Sequence, residues 1–233
     1  MNSPLHLNSN AMSDEVTNVF ITGAGRGKQC IPSVLAISVL GWRVLMISPG
    51  LGRALVESYL SRPNHTVIGS VRDESSPNTT SLKAFKPAAG SRLIVVKISN
   101  ESKTDTADAV EAIKSAGISS LDVVIANSGI TGKFSRLESV AMEDFEELFQ
   151  VNTFPVMRLY LAVYPLLKAA SGKKPKFIAI SSLVGSITNL QDFVPIMAGS
   201  YGASKAAVNF LVRWAHAENE WLTAFLLHPG WVP

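Results

Sequence analysis

Tyr201 and Lys205 stand four residues apart in the segment YGASK, the strongest chemical signal in the chain. If this segment is helical, residues i and i+4 share a face, so the phenol and the ammonium group project together. A free tyrosine has a pKa of about 10, which is too high for efficient proton transfer at neutral pH. A neighbouring ammonium group favours the phenolate and lowers that pKa. The pair therefore predicts a proton-transfer centre in which Lys205 tunes Tyr201.

Further polar positions are predicted to lie beside this pair. Ser182 follows one predicted strand, and Asn127 and Gly129 follow another. Asn152 comes shortly before Pro155 in a long helical segment, which the proline should kink. Because the carboxyl ends of parallel strands meet at one edge of a sheet, where ligands bind, we expect these groups to share a crevice with the YGASK segment.

A glycine-rich turn, TGAGRG, follows the first predicted strand and contains Gly23 and Gly27. Such a turn lets the backbone approach a pyrophosphate and directs helix N–H groups at it. The next glycine of the motif, Gly52, comes only after residues 28–50, and removing those residues leaves TGAGRG-LGRALVESYL, a continuous strand, turn and helix. The residue that meets the adenosine ribose lies about 20 positions past the glycine loop, and Arg72 stands at that distance from Gly52.

Residues 28–50 are therefore interpreted as foreign to the motif, and a retained intron is the leading hypothesis. Gly27-Lys28 and Pro49-Gly50 can be encoded by sequences that resemble a splice donor and a splice acceptor. Two alternatives stay open. The segment is a genuine surface insertion, which loops tolerate thermodynamically, or else Arg43–Ile47 is the first strand and its turn lies at residues 49–52.

Arg72 places a guanidinium group at the end of the second predicted strand, where a ribose 2′-phosphate would sit. Because arginine binds phosphate with a planar fork of donors, this position favours NADP(H) over NAD(H). Arg26 in the glycine turn is expected to join it. Asp73 beside Arg72 keeps NAD(H) open as a cofactor.

Short β-branched runs alternate with amphipathic segments, which is typical of a parallel sheet with helices on both faces. The runs are apolar without alternation, as expected for strands covered on both sides. The predicted strands are Asn18–Thr22, Thr66–Val71, Leu93–Ile98, Val123–Ala126, Phe177–Ser181 and Ala224–Leu227. The predicted helices are Leu51–Leu60, Thr106–Ser115, Met142–Ala169 and Tyr201–Glu218, and residues 73–80 are predicted to be a polar loop.

Size and composition exclude several classes of protein. The 233 residues, 47% of them hydrophobic, suffice for one domain, predicted here over residues 16–233. A net charge of only +3, without a basic run interleaved with aromatics, argues against a nucleic-acid partner. The single cysteine, Cys30, fits a reducing compartment, and we expect a cytoplasmic protein.

Other segments are interpreted as carrying no targeting or metal signal. Residues 1–15 are expected to be a disordered lead-in, since they lack the apolar core of a signal peptide. The apolar stretch Cys30–Ile47 is close to spanning length, but it contains Pro32, Gly41 and Arg43, so no membrane span is predicted. The histidines have no partners spaced for metal binding, and no metal site is expected.

Together these motifs resemble the short-chain dehydrogenase/reductase family. The resemblance rests on six features that occur in the family's order. They are TGxxxGxG with the insertion removed, NxG, Asn152 in the long helix, Ser182, YxxxK and a Pro-Gly turn. It runs from about Val16 to the end of the chain. Locally, ANSGI, ISSLVGSI and HPGWV are similar to carbonyl-reductase-type members, and most of all to fungal ketoreductases of the norsolorinic acid type.

The resemblance implies a single Rossmann-type domain and an NADPH-dependent reduction of a ketone or aldehyde to an alcohol. It implies that Tyr201 protonates the nascent alkoxide, that Lys205 holds the nicotinamide ribose and that Ser182 hydrogen-bonds the substrate carbonyl. Asn152 is implied to anchor a water that relays protons. The implied cofactor contacts also include Gly23, Gly27, Gly52, Asn127, Gly129, Pro229 and Gly230.

Two departures from the family pattern predict an impaired protein. The insertion separates the glycine turn from its helix, and the chain stops at Pro233, before the segments that complete the substrate pocket in relatives. Strand Ala224–Leu227 is then expected to be an unprotected edge. A catalytically silent dinucleotide-binding protein and the product of a faulty gene model are the alternatives. The partners expected are a small carbonyl or alcohol substrate and a second copy bound through the Tyr201 helix.

Overall fold

The computed structural model describes residues 16–25, 38–39, 42–43 and 50–230. Within these residues, six parallel strands form one sheet, and two short strands pair antiparallel outside it. The strands of the sheet are β1 Thr17–Ile21, β4 His65–Val71, β5 Arg92–Lys97, β6 Val123–Ala126, β7 Lys176–Ile180 and β8 Thr223–Leu227. The outer pair is β2 Ser38–Val39 and β3 Trp42–Arg43. The predicted parallel sheet is confirmed.

The sheet is buried on both faces because its side chains alternate between two apolar clusters. Phe20 of β1 packs into one cluster with residues of three long helices, whereas Val19 and Ile21 pack into the other. All three side chains are fully buried. The sheet thus has a separate core on each side, and β1 lies at its centre.

Six α-helices occur in the described part of the chain. They are α1 Leu51–Leu60, α2 Pro77–Lys83, α3 Asp105–Ser115, α4 Met142–Leu148, α5 Phe154–Ala169 and α6 Gly199–Glu218. The helix α2 contradicts the loop predicted for residues 73–80. Ser76 caps it by accepting a hydrogen bond from the Thr79 N–H at 3.2 Å, and Pro77 occupies the first turn. A serine followed by a proline is a signal for the start of a helix. The helix was missed because its seven residues are too few to show the regular spacing of apolar residues.

The helix predicted over Met142–Ala169 is divided where its proline lies. Phe149–Thr153 forms a π turn between α4 and α5. Pro155 has no N–H to donate to the carbonyl of Val151, four residues earlier, and the Asn100 side chain donates to that carbonyl instead at 2.9 Å. The break therefore has a local cause, and it places Asn152 inside the irregular turn.

The order in which successive strands are added to the sheet reverses between the neighbours β1 and β6. From β1 the sheet runs through β4 and β5 on one side and through β6, β7 and β8 on the other. Ligands of such sheets bind in the crevice at the carboxyl ends of these two strands. The turns after β1 and β6 contain Gly23 and Asn127, so the fold brings the predicted glycine turn to this crevice.

Several predictions fall partly or wholly outside the described residues. These are the lead-in of residues 1–15, the predicted cofactor contacts Arg26 and Gly27, and most of the insertion at 28–50. Most of the alternative first strand at Arg43–Ile47 also lies outside the described residues, and in the sheet that is described Thr17–Ile21 is the first strand. Among the helices of the described residues, none has the length and apolar character needed to span a membrane.

Candidate active site

Tyr201 and Lys205 lie in the first turns of α6 and line the same cavity. Both side chains are buried, with 6% and 5% of their surface exposed. The Lys205 Nζ lies 5.8 Å from the centre of the Tyr201 ring and donates a hydrogen bond to the Ile180 carbonyl at 3.0 Å. The ammonium group is thus held by the last residue of β7, on the side of the helix that carries the phenol.

Burial favours the neutral form of both groups. It raises the pKa of Tyr201, and a hydrogen bond with the Ser182 hydroxyl opposes that rise in part. It lowers the pKa of Lys205 to about 8. We expected Lys205 to lower the pKa of Tyr201, and the structure gives the opposite direction, because desolvation of the phenol outweighs the other influences.

Ser181 and Ser182 point in different directions at the end of β7. The Ser181 hydroxyl donates to Asn209 Oδ1 of α6 at 2.6 Å and is buried. The Ser182 hydroxyl lies at the cavity, where it accepts from the Val184 N–H at 3.3 Å and meets the Tyr201 phenol. Of the two serines, Ser182 is therefore the one placed beside Tyr201.

Asn152 is fully buried in the π turn and joins two elements of the site. Its Oδ1 accepts from the Ile130 N–H at 2.8 Å, and its Nδ2 donates to the Ile130 carbonyl at 2.9 Å. The same Nδ2 donates to Ser204 Oγ at 3.1 Å, and that hydroxyl donates to the Tyr201 carbonyl at 2.7 Å. Asn152 thereby fixes the loop after β6 against the start of α6.

Gly129 lies between Asn152 and Lys205 and leaves little room for a side chain. A Cβ built on it would lie 3.1 Å from Asn152 Oδ1 and 3.5 Å from Lys205 Nζ. The structure thus brings together Asn152, Lys205 and the loop that follows β6, as the order of the motifs predicts.

The glycine turn contacts the start of α1 although 28 residues separate Gly23 from Gly52. A Cβ on Gly52 would lie 2.5 Å from the Gly23 carbonyl oxygen and 2.6 Å from Asn127 Nδ2. Gly23 itself has a φ of +73°, a conformation that glycine adopts without strain. Asn127 Nδ2 donates to the Thr22 carbonyl at 3.1 Å. These contacts form a cradle of backbone atoms at the N-terminus of α1.

The remaining predicted residues lie at the two ends of the cavity. Arg72 and Asp73 follow β4 and are exposed, and Ser75 donates from its N–H and its hydroxyl to the Asp73 carboxylate. Pro229 and Gly230 follow β8 at the other end. The cavity between them has a volume of about 770 Å³, within the range of cofactor sites.

Sequence reasoning did not predict the apolar wall beside Tyr201. Ile130, Phe134, Val184 and Ile196 pack against the small cluster that contains Tyr201, and they line the cavity. Ile130 and Phe134 lie on a loop, and Val184 and Ile196 lie in short 3-10 segments. Neither setting shows the regular spacing of apolar residues that marks an α-helix or a strand in the sequence. Asn209 was also missed, because its hydrogen bonds depend on how α6 lies against the end of β7.

Comparison with known proteins identifies the family. A family model described as short chain dehydrogenase matches residues 44–232, which is more than half of the chain. The chain belongs to the short-chain dehydrogenase/reductase family. It is therefore an oxidoreductase, as the motifs predict. The match begins inside the predicted insertion, so the limits of that insertion stay a prediction.

Two fungal relatives and one solved structure illustrate the likeness. The short-chain dehydrogenase srdF of Neurospora crassa is 40% identical over 188 residues, which cover 80% of this chain and 73% of the relative. A norsolorinic acid ketoreductase of Dothistroma septosporum is 40% identical over 186 residues, which cover 79% of this chain and 69% of the relative. The NADPH-bound carbonyl reductase from chicken fatty liver has a TM-score of 0.73 at 26% identity, covering 93% of this chain and 77% of that one.

Proposed function

We propose that this short-chain dehydrogenase/reductase reduces a ketone or aldehyde to an alcohol with NADPH. The observation that carries the proposal is the group of buried Tyr201 and Lys205 with half-buried Ser182, at one end of a cavity whose other end is the glycine cradle. NADPH, when bound, supplies the hydride for such a reduction. The residues of the chain bind and orient both reactants and supply the proton.

The glycine cradle fits a dinucleotide. A Cβ on Gly52 would lie 2.5 Å from the Gly23 carbonyl oxygen, and a Cβ on Gly23 would lie 2.8 Å from Ser128 Oγ. The cavity at this point includes the start of a ten-residue helix. Backbone N–H groups at a helix N-terminus favour the negative charge of a pyrophosphate. Asn127 and Gly129 would lie along the cofactor, with Pro229 and Gly230 on the nicotinamide side.

Tyr201 is the proposed proton donor. A phenol is protonated at neutral pH even without a perturbed pKa, and burial raises the pKa of Tyr201 further. The proton can still pass to the developing alkoxide, because an alkoxide is a stronger base than a phenolate. The Ser182 hydroxyl, which meets the phenol, would orient the substrate carbonyl oxygen. Lys205 would bind the nicotinamide ribose, and Asn152 would anchor a water that relays a proton to the site.

The charges near Arg72 favour NADPH over NADH. The Asp73 carboxylate is held by two hydrogen bonds from Ser75, so it is less free to accept from ribose hydroxyls. Arg72 lines the cavity and is exposed, and its guanidinium fork suits a 2′-phosphate. We expect Arg72→Ala to weaken NADPH binding about tenfold or more while NADH binding changes little; equal losses for both cofactors would contradict this role.

The apolar wall beside Tyr201 suits an uncharged, apolar carbonyl compound. Phe134, Val184 and Ile196 pack against the cluster that contains Tyr201. Apolar surfaces of this kind bind ligands through the area that they remove from water. The relatives named as norsolorinic acid ketoreductases support a substrate of fungal secondary metabolism.

A titration coupled to a turnover assay tests the proposal. NADPH fluorescence is followed as protein is added, and NADPH oxidation is then measured with a neutral aromatic ketone. Binding together with turnover supports the reductase. Binding without turnover would show a silent dinucleotide-binding protein instead, and an absence of binding would overturn the proposal altogether.

A second copy of the chain is the proposed protein partner. Phe210 and Trp214 stack on α6 with ring centres 5.4 Å apart, yet 63% and 55% of their surfaces are exposed. An exposed aromatic pair of this kind is typical of an interface. Sedimentation equilibrium should give twice the monomer mass, and a monomer at all concentrations would contradict the assignment.

A further inference from the structure

Ser182 is weakly held by its immediate surroundings. It lies between the end of β7 and a short 3-10 turn, Leu183–Gly185. Its hydroxyl accepts one local hydrogen bond, from the Val184 N–H, and that bond is long at 3.3 Å. A hydroxyl that must meet both Tyr201 and a substrate needs a defined position, because misplacement by about 1 Å is costly to catalysis.

Asn209 spans this turn from outside the cavity. Its Oδ1 accepts from the Ser181 hydroxyl at 2.6 Å, and its Nδ2 donates to the Gly185 carbonyl at 3.1 Å. The two partners lie on either side of Ser182, one residue before it and three residues after it. Asn209 is not among the described residues that line the cavity, so it does not reach a bound substrate.

The orientation of the Asn209 amide follows from its partners. The Gly185 carbonyl can only accept a hydrogen bond, so the NH₂ group must face it and the oxygen must face Ser181. The turn has little freedom to adjust, since a Cβ on Gly185 would lie 2.9 Å from Lys205 Cβ and 3.0 Å from the Ala206 nitrogen. One amide therefore ties both ends of the Ser182 turn to the helix that carries Tyr201 and Lys205.

We propose that Asn209 is a positioning residue that holds the Ser182 hydroxyl against the Tyr201 phenol. Only a side chain with a donor and an acceptor side by side forms both links. Leucine at this position removes both, and aspartate keeps the link to Ser181 but sets a carboxylate oxygen against the Gly185 carbonyl. The inference rests on the proposed function, because it assigns Asn209 an effect through Ser182.

A double-mutant cycle separates an effect through Ser182 from a general loss of structure. In the otherwise unchanged chain, Asn209→Leu should lower kcat about tenfold with the KM for NADPH unchanged. In the Ser182→Ala background, the same substitution should change kcat less than about twofold. An equal loss in both backgrounds, or no loss in the unchanged chain, would overturn the inference.

Asn219, the residue that caps the C-terminus of the same helix, provides the matched control. It is buried, its Oδ1 accepts from the Tyr164 hydroxyl at 3.0 Å, and its Nδ2 donates to the Ala215 carbonyl at 2.9 Å. Asn219→Leu therefore removes a two-sided amide far from Ser182 and should lower the melting temperature without changing kcat. If Asn209→Leu does not fold, Ser181→Ala, which removes one of the two links, replaces it in the cycle.

A titration of Tyr201 gives a readout that needs no turnover. The hydrogen bond with Ser182 lowers the pKa of Tyr201, so loss of the Ser182 position should raise the phenol midpoint measured by ¹³C-tyrosine NMR. Asn209→Leu and Ser182→Ala should move it in the same direction, and Asn219→Leu should leave it in place. An unmoved midpoint in Asn209→Leu overturns the inference alone, whereas an unchanged kcat in Ser182→Ala overturns the proposed role of Ser182 itself.

Discussion

Burial acts alike on the two ionisable residues of the site. Tyr201 and Lys205 are nine-tenths or more buried, and each loses hydration that its charged form would need. The phenol is consequently kept as an acid with its proton in place. The lysine is kept as a donor that is close to losing its proton, with a pKa of about 8.

Lys205 should make the stability of the protein depend on pH. Its pKa is about 8 in the folded chain and 10.5 when unperturbed. Between these values the unfolded chain binds the proton that the folded chain has released, so the free energy of unfolding rises with pH. Below the lower value both states are protonated and the slope is absent.

The difference in the free energy of unfolding between wild type and Lys205→Met isolates this effect from other titrating groups. It should grow in favour of wild type by on the order of 3 kcal/mol as the pH rises through the window. Urea unfolding at a series of pH values measures it. A difference that stays flat would show that the ammonium group is not desolvated.

Two irregular elements place the site residues. The π turn before Pro155 carries Asn152, and its freed Val151 carbonyl is satisfied by Asn100. Ser182 caps the 3-10 turn after β7, and this turn is tied to α6 by Asn209. In both cases a side chain from another part of the chain completes the hydrogen bonding that the irregular segment lacks.

Gly52→Ala should damage the junction between the glycine turn and α1. The new Cβ would lie 2.5 Å from the Gly23 carbonyl oxygen, and this backbone atom cannot move without displacing the turn. We expect a loss of about 1–3 kcal/mol in stability and weaker NADPH binding, measured by denaturant unfolding and by fluorescence titration.

Gly172→Ala is the control, because a Cβ there meets nothing within 4 Å and should change stability by less than about 0.5 kcal/mol. If Gly52→Ala behaves like this control, the close contact between the glycine turn and α1 does not exist in solution.

Regular elements with a strong apolar pattern could be predicted from the sequence. The helix Leu51–Leu60 has the predicted bounds, and each strand of the sheet lies within one residue of its predicted start. The spacing of apolar residues did not reveal the helix Pro77–Lys83, because seven residues are too few to show the helical repeat. It also could not give the direction of the Tyr201 pKa shift, because that depends on how much water the surrounding loops exclude.

At the scale of the whole molecule, the cavity joins residues that are distant in the chain. The ends of β1, β6, β7 and β8 all contribute to it, together with the first turns of α1 and α6. The parallel topology brings them to one edge. No single segment forms the site, so its geometry depends on the sheet as a unit.

Removing residues 28–50 should leave this arrangement intact. Gly23 and Gly52 are already in contact, so joining Gly27 to Leu51 requires only a short turn. Shortening the connection should stabilise the fold by roughly 1–2 kcal/mol and tighten NADPH binding, as measured by thermal unfolding and titration. A deletion variant that unfolds or loses NADPH binding would show that the segment is an integral part of the domain.

The most direct test of the account is the effect of Tyr201→Phe on reduction. NADPH oxidation with a neutral aromatic ketone would be compared in wild type and variant, in the natural chain and in the form without residues 28–50. We predict a loss of at least about a hundredfold in kcat, while the Kd for NADPH stays within about twofold, because the ring and its packing are retained. A variant that keeps most of its turnover would contradict the assignment of Tyr201 as the proton donor.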